Sequence, residues 1–170
     1  MRINMKKLIF TIVMVGLLAG FAFAQTGRQI TAIRAEVAAI NKGVKSYKKK
    51  VKDVDGVSLE GTQATYYTSN KGLKKITARM YGETFRATGE LYYRGGELIF
   101  MYVRTNRYNG NIAMKPFPKI ARVEEERYYF AGGELVRIVS GKRELKTSDE
   151  KYAELKDSAM DISKSLRDAY

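Results

Sequence analysis

Cysteine, histidine and tryptophan are all absent from this 170-residue chain, and proline occurs only twice. Without Cys and His there can be no Ser-His-Asp or Cys-His nucleophilic machinery. Zinc sites built from His and Cys are excluded as well. Carboxylate chemistry, a Ser-Lys pair or an oxygen-ligand metal stays open. No disulfide can form, so packing alone must hold the fold. The scarcity of proline, with moderate glycine, argues against long disordered tracts.

The beginning of the chain reads as a secretory signal peptide, residues 1–24. Arg2, Lys6 and Lys7 form a positive n-region, and Leu8 to Phe21 carries no charge. Ala22-Phe23-Ala24 is a small-x-small cleavage site that puts the mature start at Gln25. A transmembrane anchor needs about 20 apolar residues, and Leu8 to Ala24 falls a little short. Leu18-Ala19-Gly20-Phe21 looks like a bacterial lipoprotein signal with Phe where the lipidated Cys would stand. Without that sulfur no thioether anchor forms. The expectation is a soluble exported protein, periplasmic or secreted, whose residues 25–170 make one domain and which is not an integral membrane protein after cleavage. A chain of that length can bury a sizeable core.

Charge is strongly one-sided. The formal net charge is +13, and about +10 remains once Arg2, Lys6 and Lys7 are set aside. Basicity of this kind usually points to nucleic acid. Export turns the reading away from nucleic acid and toward anionic lipid, lipopolysaccharide or cell-wall polymer.

A first helix is expected from about Thr26. Thr26 and Gln29 have capping-box spacing, and Ile30, Ile33, Val37, Ile40 and Val44 fall in one helical stripe. Arg34, Asn41 and Lys42 lie on the opposite face. Such a helix is marginal alone in water, so the stripe needs a surface to cover.

A basic segment follows. Lys42, Lys45, Lys48, Lys49, Lys50 and Lys52 occur with no acid between them. The pattern allows either a continued helix or a Lys-protected edge strand. Lys45, Lys48, Lys49, Lys50 and Lys52 are the candidate anion-binding residues; the plainer reading is a solvated helix end or sheet edge. Asp53-Val54-Asp55-Gly56 resembles the middle of a calcium loop. Val51 and Thr62 stand where the outer ligands belong, so a plain turn is expected.

From Gly61 to Val139 the period changes to two. Strands are expected near 62–68, 73–81, 84–94, 97–105, 122–130 and 134–140, joined as antiparallel hairpins. Asn70-Lys71-Gly72, Gly95-Gly96 and Gly132-Gly133 supply the positive-φ turns. Leu98 to Val103 is apolar on both faces and should be central. Asn106 to Ala121 is the longest break and exceeds common loop lengths. Glu124 and Glu126 share one face of the next strand and Glu125 the other. Cross-strand pairing with Lys and Arg is the plainer role for them, acid–base chemistry the sharper one.

The hairpins repeat. Leu91-Tyr92-Tyr93-Arg94-Gly95-Gly96-Glu97-Leu98 recurs as Arg127-Tyr128-Tyr129-Phe130-Ala131-Gly132-Gly133-Glu134-Leu135, and more loosely from Tyr66-Tyr67 to Leu73. Adjacent tyrosines point to opposite faces, so one packs and the other faces outward. The outward set, Tyr66, Tyr92 and Tyr128 with Arg94, Arg107 and Tyr108, is the candidate interaction face. A final helix is expected after a capping box at Thr147 to Glu150, with Tyr152, Leu155, Ala159, Ile162, Leu166 and Ala169 as its stripe.

The order of signal peptide, Ile-rich helix, Glu60-Gly61, Tyr81-Gly82-Glu83, Tyr92 to Leu98, Arg107-Tyr108-Asn109 and Glu126 to Phe130 resembles a group of short exported bacterial proteins with Tyr-Tyr-x-x-Gly hairpins and no assigned activity. The resemblance covers most of the mature chain. It implies an α+β hairpin fold and export, and it carries over no catalytic residue. The hairpins also look faintly like MORN-type repeats, from which their glycine spacing departs.

The expected architecture is α+β: an antiparallel meander of about six strands with N- and C-terminal helices packed on it. The expected function is non-enzymatic binding of an anionic envelope component or a protein partner, with no cofactor and no catalytic or metal-ligating set. Two alternatives are a carboxylate-based glycan hydrolase and an inhibitor or immunity-type protein presenting the 106–121 loop.

Overall fold

The computed structural model describes residues 27–170. The signal peptide, the Gln25 start and the Thr26 cap lie outside the described residues. Helix α1 covers 27–43 and ends in a 3-10 turn, Val44–Ser46. Eight strands follow: β1 Lys48–Val54, β2 Thr62–Ser69, β3 Gly72–Gly82, β4 Phe85–Arg94, β5 Glu97–Tyr108, β6 Ile120–Ala131, β7 Glu134–Ser140 and β8 Arg143–Leu145. Helix α2, Glu150–Asp168, closes the chain. All eight strands form one antiparallel sheet in sequential order.

The meander therefore has eight strands, where the sequence pattern gave about six. The two extra strands are the sheet edges. The lysine run is β1, paired along its length with β2 from Lys48 opposite Thr68 to Val54 opposite Thr62. Lysine repels the next sheet, so such a run suits an edge, but it carries no hydrophobic alternation to announce a strand. β8 is three residues long, too short for any period to register. The long break also shrinks, because β5 runs on to Tyr108 and β6 begins at Ile120, leaving 109–119 as the loop.

The helices cover opposite faces of the sheet. Ile30, Ile33 and Ile40 of α1 are buried against Tyr92, Ile99 and Tyr129, with Val37, Phe100 and Val136 packed alongside. α2 buries Ala159 and Leu166 on the other face, among Tyr66, Ile76, Leu91, Tyr93, Met101, Tyr128, Phe130 and Ile138. Tyr152, Leu155, Ile162 and Ala169, the rest of the expected stripe, pack there too. β5 is central, and its apolar start is covered on both faces, Leu98 and Met101 under α2 and Ile99 and Phe100 under α1. The expected capping box at Thr147 does not form: Asp149 is the N-cap, and its carboxylate accepts the Lys146 N–H at 2.7 Å instead of a helix N–H.

The repeat has a structural meaning beyond its turns. Tyr92 pairs with Phe100 but Tyr93 with Leu98, so Ile99 is an extra residue. Val136 is extra in the same way between Leu135 and Arg137 opposite β6, and Lys74 between Leu73 and Lys75 opposite β2. Each hairpin thus carries a bulge at the same repeat position. A bulge breaks the two-residue alternation. Leu98 and Leu135 consequently face α2 while Ile99 and Val136 join the surface under α1. Gly95 and Gly96 (φ 60° and 88°) and Gly132 and Gly133 (φ 59° and 82°) make the two tight turns. A paired positive φ of this kind matches strand twist and disfavours any residue with a Cβ. In the first hairpin only Gly72 has positive φ, at 91°.

Candidate binding surfaces on the two faces of the sheet

The tyrosine set expected to face outward does not do so. Adjacent tyrosines do point to opposite faces, yet both faces are roofed by a helix near the hairpin turns. Tyr66 and Tyr128 are buried under α2 and Tyr92 under α1. The Tyr66 hydroxyl donates to the Leu166 carbonyl at 2.9 Å, fastening α2 to β2. Tyr92 accepts from Lys75 Nζ at 2.9 Å and donates to Glu90. Burial first, then these carboxylate contacts, raises the Tyr92 hydroxyl well above the usual phenol range. Arg94 is exposed at the end of β4. Arg107 lies on the α2 face, where its Nε pairs with Glu124 at 2.9 Å. Tyr108 is half-buried at the end of β5. These six residues form no common face.

The five lysines are divided as well. Lys48, Lys50 and Lys52 share the α2 side of β1, and Lys49 faces the other way over the Tyr67 ring at 5.7 Å. Lys52 is half-buried and donates to the carbonyls of Ala169 and of Tyr170, the latter at 3.2 Å, so its ammonium anchors the end of α2. Lys45 stands apart in the 3-10 turn. Lys48, Lys49 and Lys50 stay exposed.

Two arrangements not legible as sites in the sequence emerge instead. The first is the far half of the α1 face, beyond the helix. Cross-strand register lays out rows there: Gln63, Arg79, Thr88, Arg104 and Glu125 in one, Thr65, Thr77, Glu90, Tyr102 and Arg127 in the next, and Tyr81, Arg86 and Asn106 in a third. Arg79, Thr88 and Arg104 are exposed. Glu90 is taken by Lys75 at 3.0 Å, and Glu125 by Tyr102 at 2.9 Å and Arg127 at 3.2 Å. The Tyr102 hydrogen bond, above all, holds the Glu125 carboxyl below its usual range. Arg86 lies over the Tyr81 ring at 4.9 Å and Arg127 over Tyr102 at 5.3 Å. Among the described residues, Arg79 and Arg104 are in no ion pair. The surface is therefore polar, aromatic and net cationic. The signal that could have found it was the strict alternation through Ala78-Arg79-Met80 and Val103-Arg104-Thr105.

The second is a cavity of about 250 Å³ between α2, the β1–β2 loop and the α2 face of β3–β6. Its walls include Met80, Ala87, Met101, Val103, Leu155 and Ile162. Glu124, Glu126 and Arg107 line it from the sheet, and Glu154 and Ser158 from the exposed side of α2. The carboxylates sort themselves. Glu124 accepts from both Arg107 at 2.9 Å and Arg122 at 2.8 Å. Glu126 is only 9 % exposed. It has neither ion pair nor hydrogen-bond partner among the described residues. Desolvation chiefly, with the neighbouring Glu124 charge, pushes its carboxyl up to about 7, against opposing pull from Arg107 and Lys151. Of the carboxylates weighed from sequence, Glu83 is exposed and Glu90 and Glu125 sit on the opposite face.

Among the described residues no helix is long and apolar enough to cross a membrane. No family model, curated protein or solved structure matches this chain.

Proposed function

We propose that this is an exported, non-enzymatic binding protein that engages an anionic envelope component, a lipid head group, lipopolysaccharide or cell-wall polymer, through the open half of the α1 face. One observation carries the reading: Arg79 and Arg104 flank Thr88 from the strands on either side, exposed and in no ion pair among the described residues, with Asp53 and Glu125 at the two ends of their row. Strands lie about 4.8 Å apart, so the two guanidiniums rise from backbones about 10 Å apart. That spacing suits successive anionic groups of a polymer or packed head groups. Arginine offers a planar fork that grips phosphate or carboxylate in two bonds. Tyr81 and Tyr102 beside them carry the guanidiniums of Arg86 and Arg127 over their rings. The exposed Lys49 at the β1 edge adds to the positive field on this side of the sheet. Export is the part of the reading that rests on residues 1–24.

The test is sedimentation of the purified protein with anionic vesicles and with cell-wall preparations at low and high salt. Binding to at least one is expected at low salt and should weaken with salt. It should fall in an Arg79→Ala/Arg104→Ala variant that unfolds at the wild-type temperature. Absence of salt-sensitive binding to either material ends this reading.

A second reading, a protein partner held by the loop, has its own support. Met114 and Phe117 of the 109–119 loop are 66 % and 69 % exposed, beside exposed Ile120 and Val123. The hydrolase reading is weaker, because Glu124 is committed to two arginines.

A further inference from the structure

A basic protein has here lined a half-open cavity with three carboxylates, Glu124, Glu126 and Glu154, against the single cation Arg107 in its walls. Glu124 on β6 is matched by Arg107 on β5 and by Arg122. Glu126, one turn of the pleat further along β6, is nine-tenths buried with no partner among the described residues. Glu154 adds a further negative charge from α2. Among the described residues, Arg107 is the cation in the walls and is held by Glu124, while Lys151 acts on Glu126 from outside them. The Glu126 carboxyl oxygens are not sealed off: they open onto the cavity, where a donor that enters can reach them. Most of the remaining wall is apolar. Its volume exceeds the roughly 150 Å³ that suffices for a benzene-sized guest.

We propose that this cavity is a binding site for a small organic cation, a primary ammonium on an alkyl or aryl body. The ammonium donates to the Glu126 carboxylate, and the body lies against Met80, Met101 and Ile162. An anion is disfavoured by the acidic lining. A neutral alcohol would fill the apolar volume and leave the charge unmatched.

The site has a built-in dependence on pH. The groups facing Glu126 are Glu124 and Tyr128 from β6, Arg107 from β5 and Glu154 from α2, with Lys151 nearby on α2 and Glu125 on the reverse face of β6. The Tyr128 hydroxyl is raised by burial and stays neutral over the range that matters. Glu126 therefore sets the profile. An ammonium ligand displaces its proton, and affinity should rise from pH 5 to pH 8.

The experiment uses hexylammonium, with hexanol and hexanoate as probes of equal body. The ε-methyl NMR signals of Met80 and Met101 report occupancy, and thermal unfolding is followed in parallel. At pH 8 hexylammonium should shift both methyls saturably and bind at least about tenfold more tightly than either control, the scale of one charge-assisted hydrogen bond. Glu126→Gln should remove that preference while leaving weak hexanol binding. Ala159→Leu should fill the space and abolish binding of both, with its folding checked by the same methyl spectrum. Equal affinity for hexylammonium and hexanol, a preference for hexanoate, or an unchanged preference in Glu126→Gln would each overturn the proposal.

Discussion

Lys75 donates to the hydroxyl of Tyr92 at 2.9 Å, and the same ammonium reaches Glu90 and Asn41, each at 3.0 Å. Lys75 and Tyr92 are nearly fully buried and come from adjacent strands, while Asn41 comes from α1. This cluster is the polar pin that fixes where the helix sits. Deleting the tyrosine hydroxyl in Tyr92→Phe should cost about 1 kcal/mol, and Asn41→Ala about the same. The double variant should cost measurably less than the sum, because both remove one network. Urea unfolding of the four proteins checks this: costs that add within about 0.3 kcal/mol would show that Tyr92 and Asn41 act independently rather than as one network, and single costs near zero would show that the isoleucines alone hold α1.

Glu126 should make the protein less stable as pH rises. Its folded carboxyl sits at about 7 against an ordinary value of 4.5, so the folded state holds its proton more firmly than the unfolded chain. The burden is absent below about pH 4.5, grows through pH 7, and is complete above it. A rise of this size corresponds to about 3 kcal/mol. Glu126→Gln should match the wild type in stability near pH 4.5 and exceed it by about 2–3 kcal/mol at pH 8. Chemical denaturation at the two pH values measures the difference, in which other titrating groups cancel. A gap that does not widen with pH would mean the carboxyl is hydrated in solution.

Two glycines should respond oppositely to the same substitution. Gly96 has φ 88° in a turn where a Cβ meets open space, so only backbone conformation opposes alanine. Gly96→Ala should destabilise by about 1–2 kcal/mol. Gly110 lacks positive φ, and a Cβ there would touch Pro118 at an ordinary 3.6 Å. Gly110→Ala should be neutral or stabilising by up to about 1 kcal/mol, through lost freedom in the unfolded chain. Similar losses at both positions would contradict the turn geometry.

Much of the framework was legible because period is a local property. The stripe from Ile30 to Ile40 and that from Tyr152 to Ala169 both pack as the spacing required. The six inner strands fall within a few residues of their expected limits. The edges escaped because β1 is held by pairing with β2 rather than by its own side chains, five of its seven residues being exposed on their own account. The functional expectation for Tyr66, Tyr92 and Tyr128 failed for a similar reason. Alternation says that neighbours face opposite ways, but not whether a face is covered.

The sequence by itself determined the absence of thiol and imidazole chemistry, the excess of positive charge, the two amphipathic helices and the glycine turns of a repeated hairpin. Those follow from composition and from spacing within a few residues. Only the tertiary structure decided that the helices take opposite faces, that Arg79 and Arg104 stand together in the open, and that Glu126 rather than Glu124 is left without a partner. Each of these depends on which strand lies beside which and on what roofs the sheet. Contacts between distant residues set both, and no short window of the chain contains them.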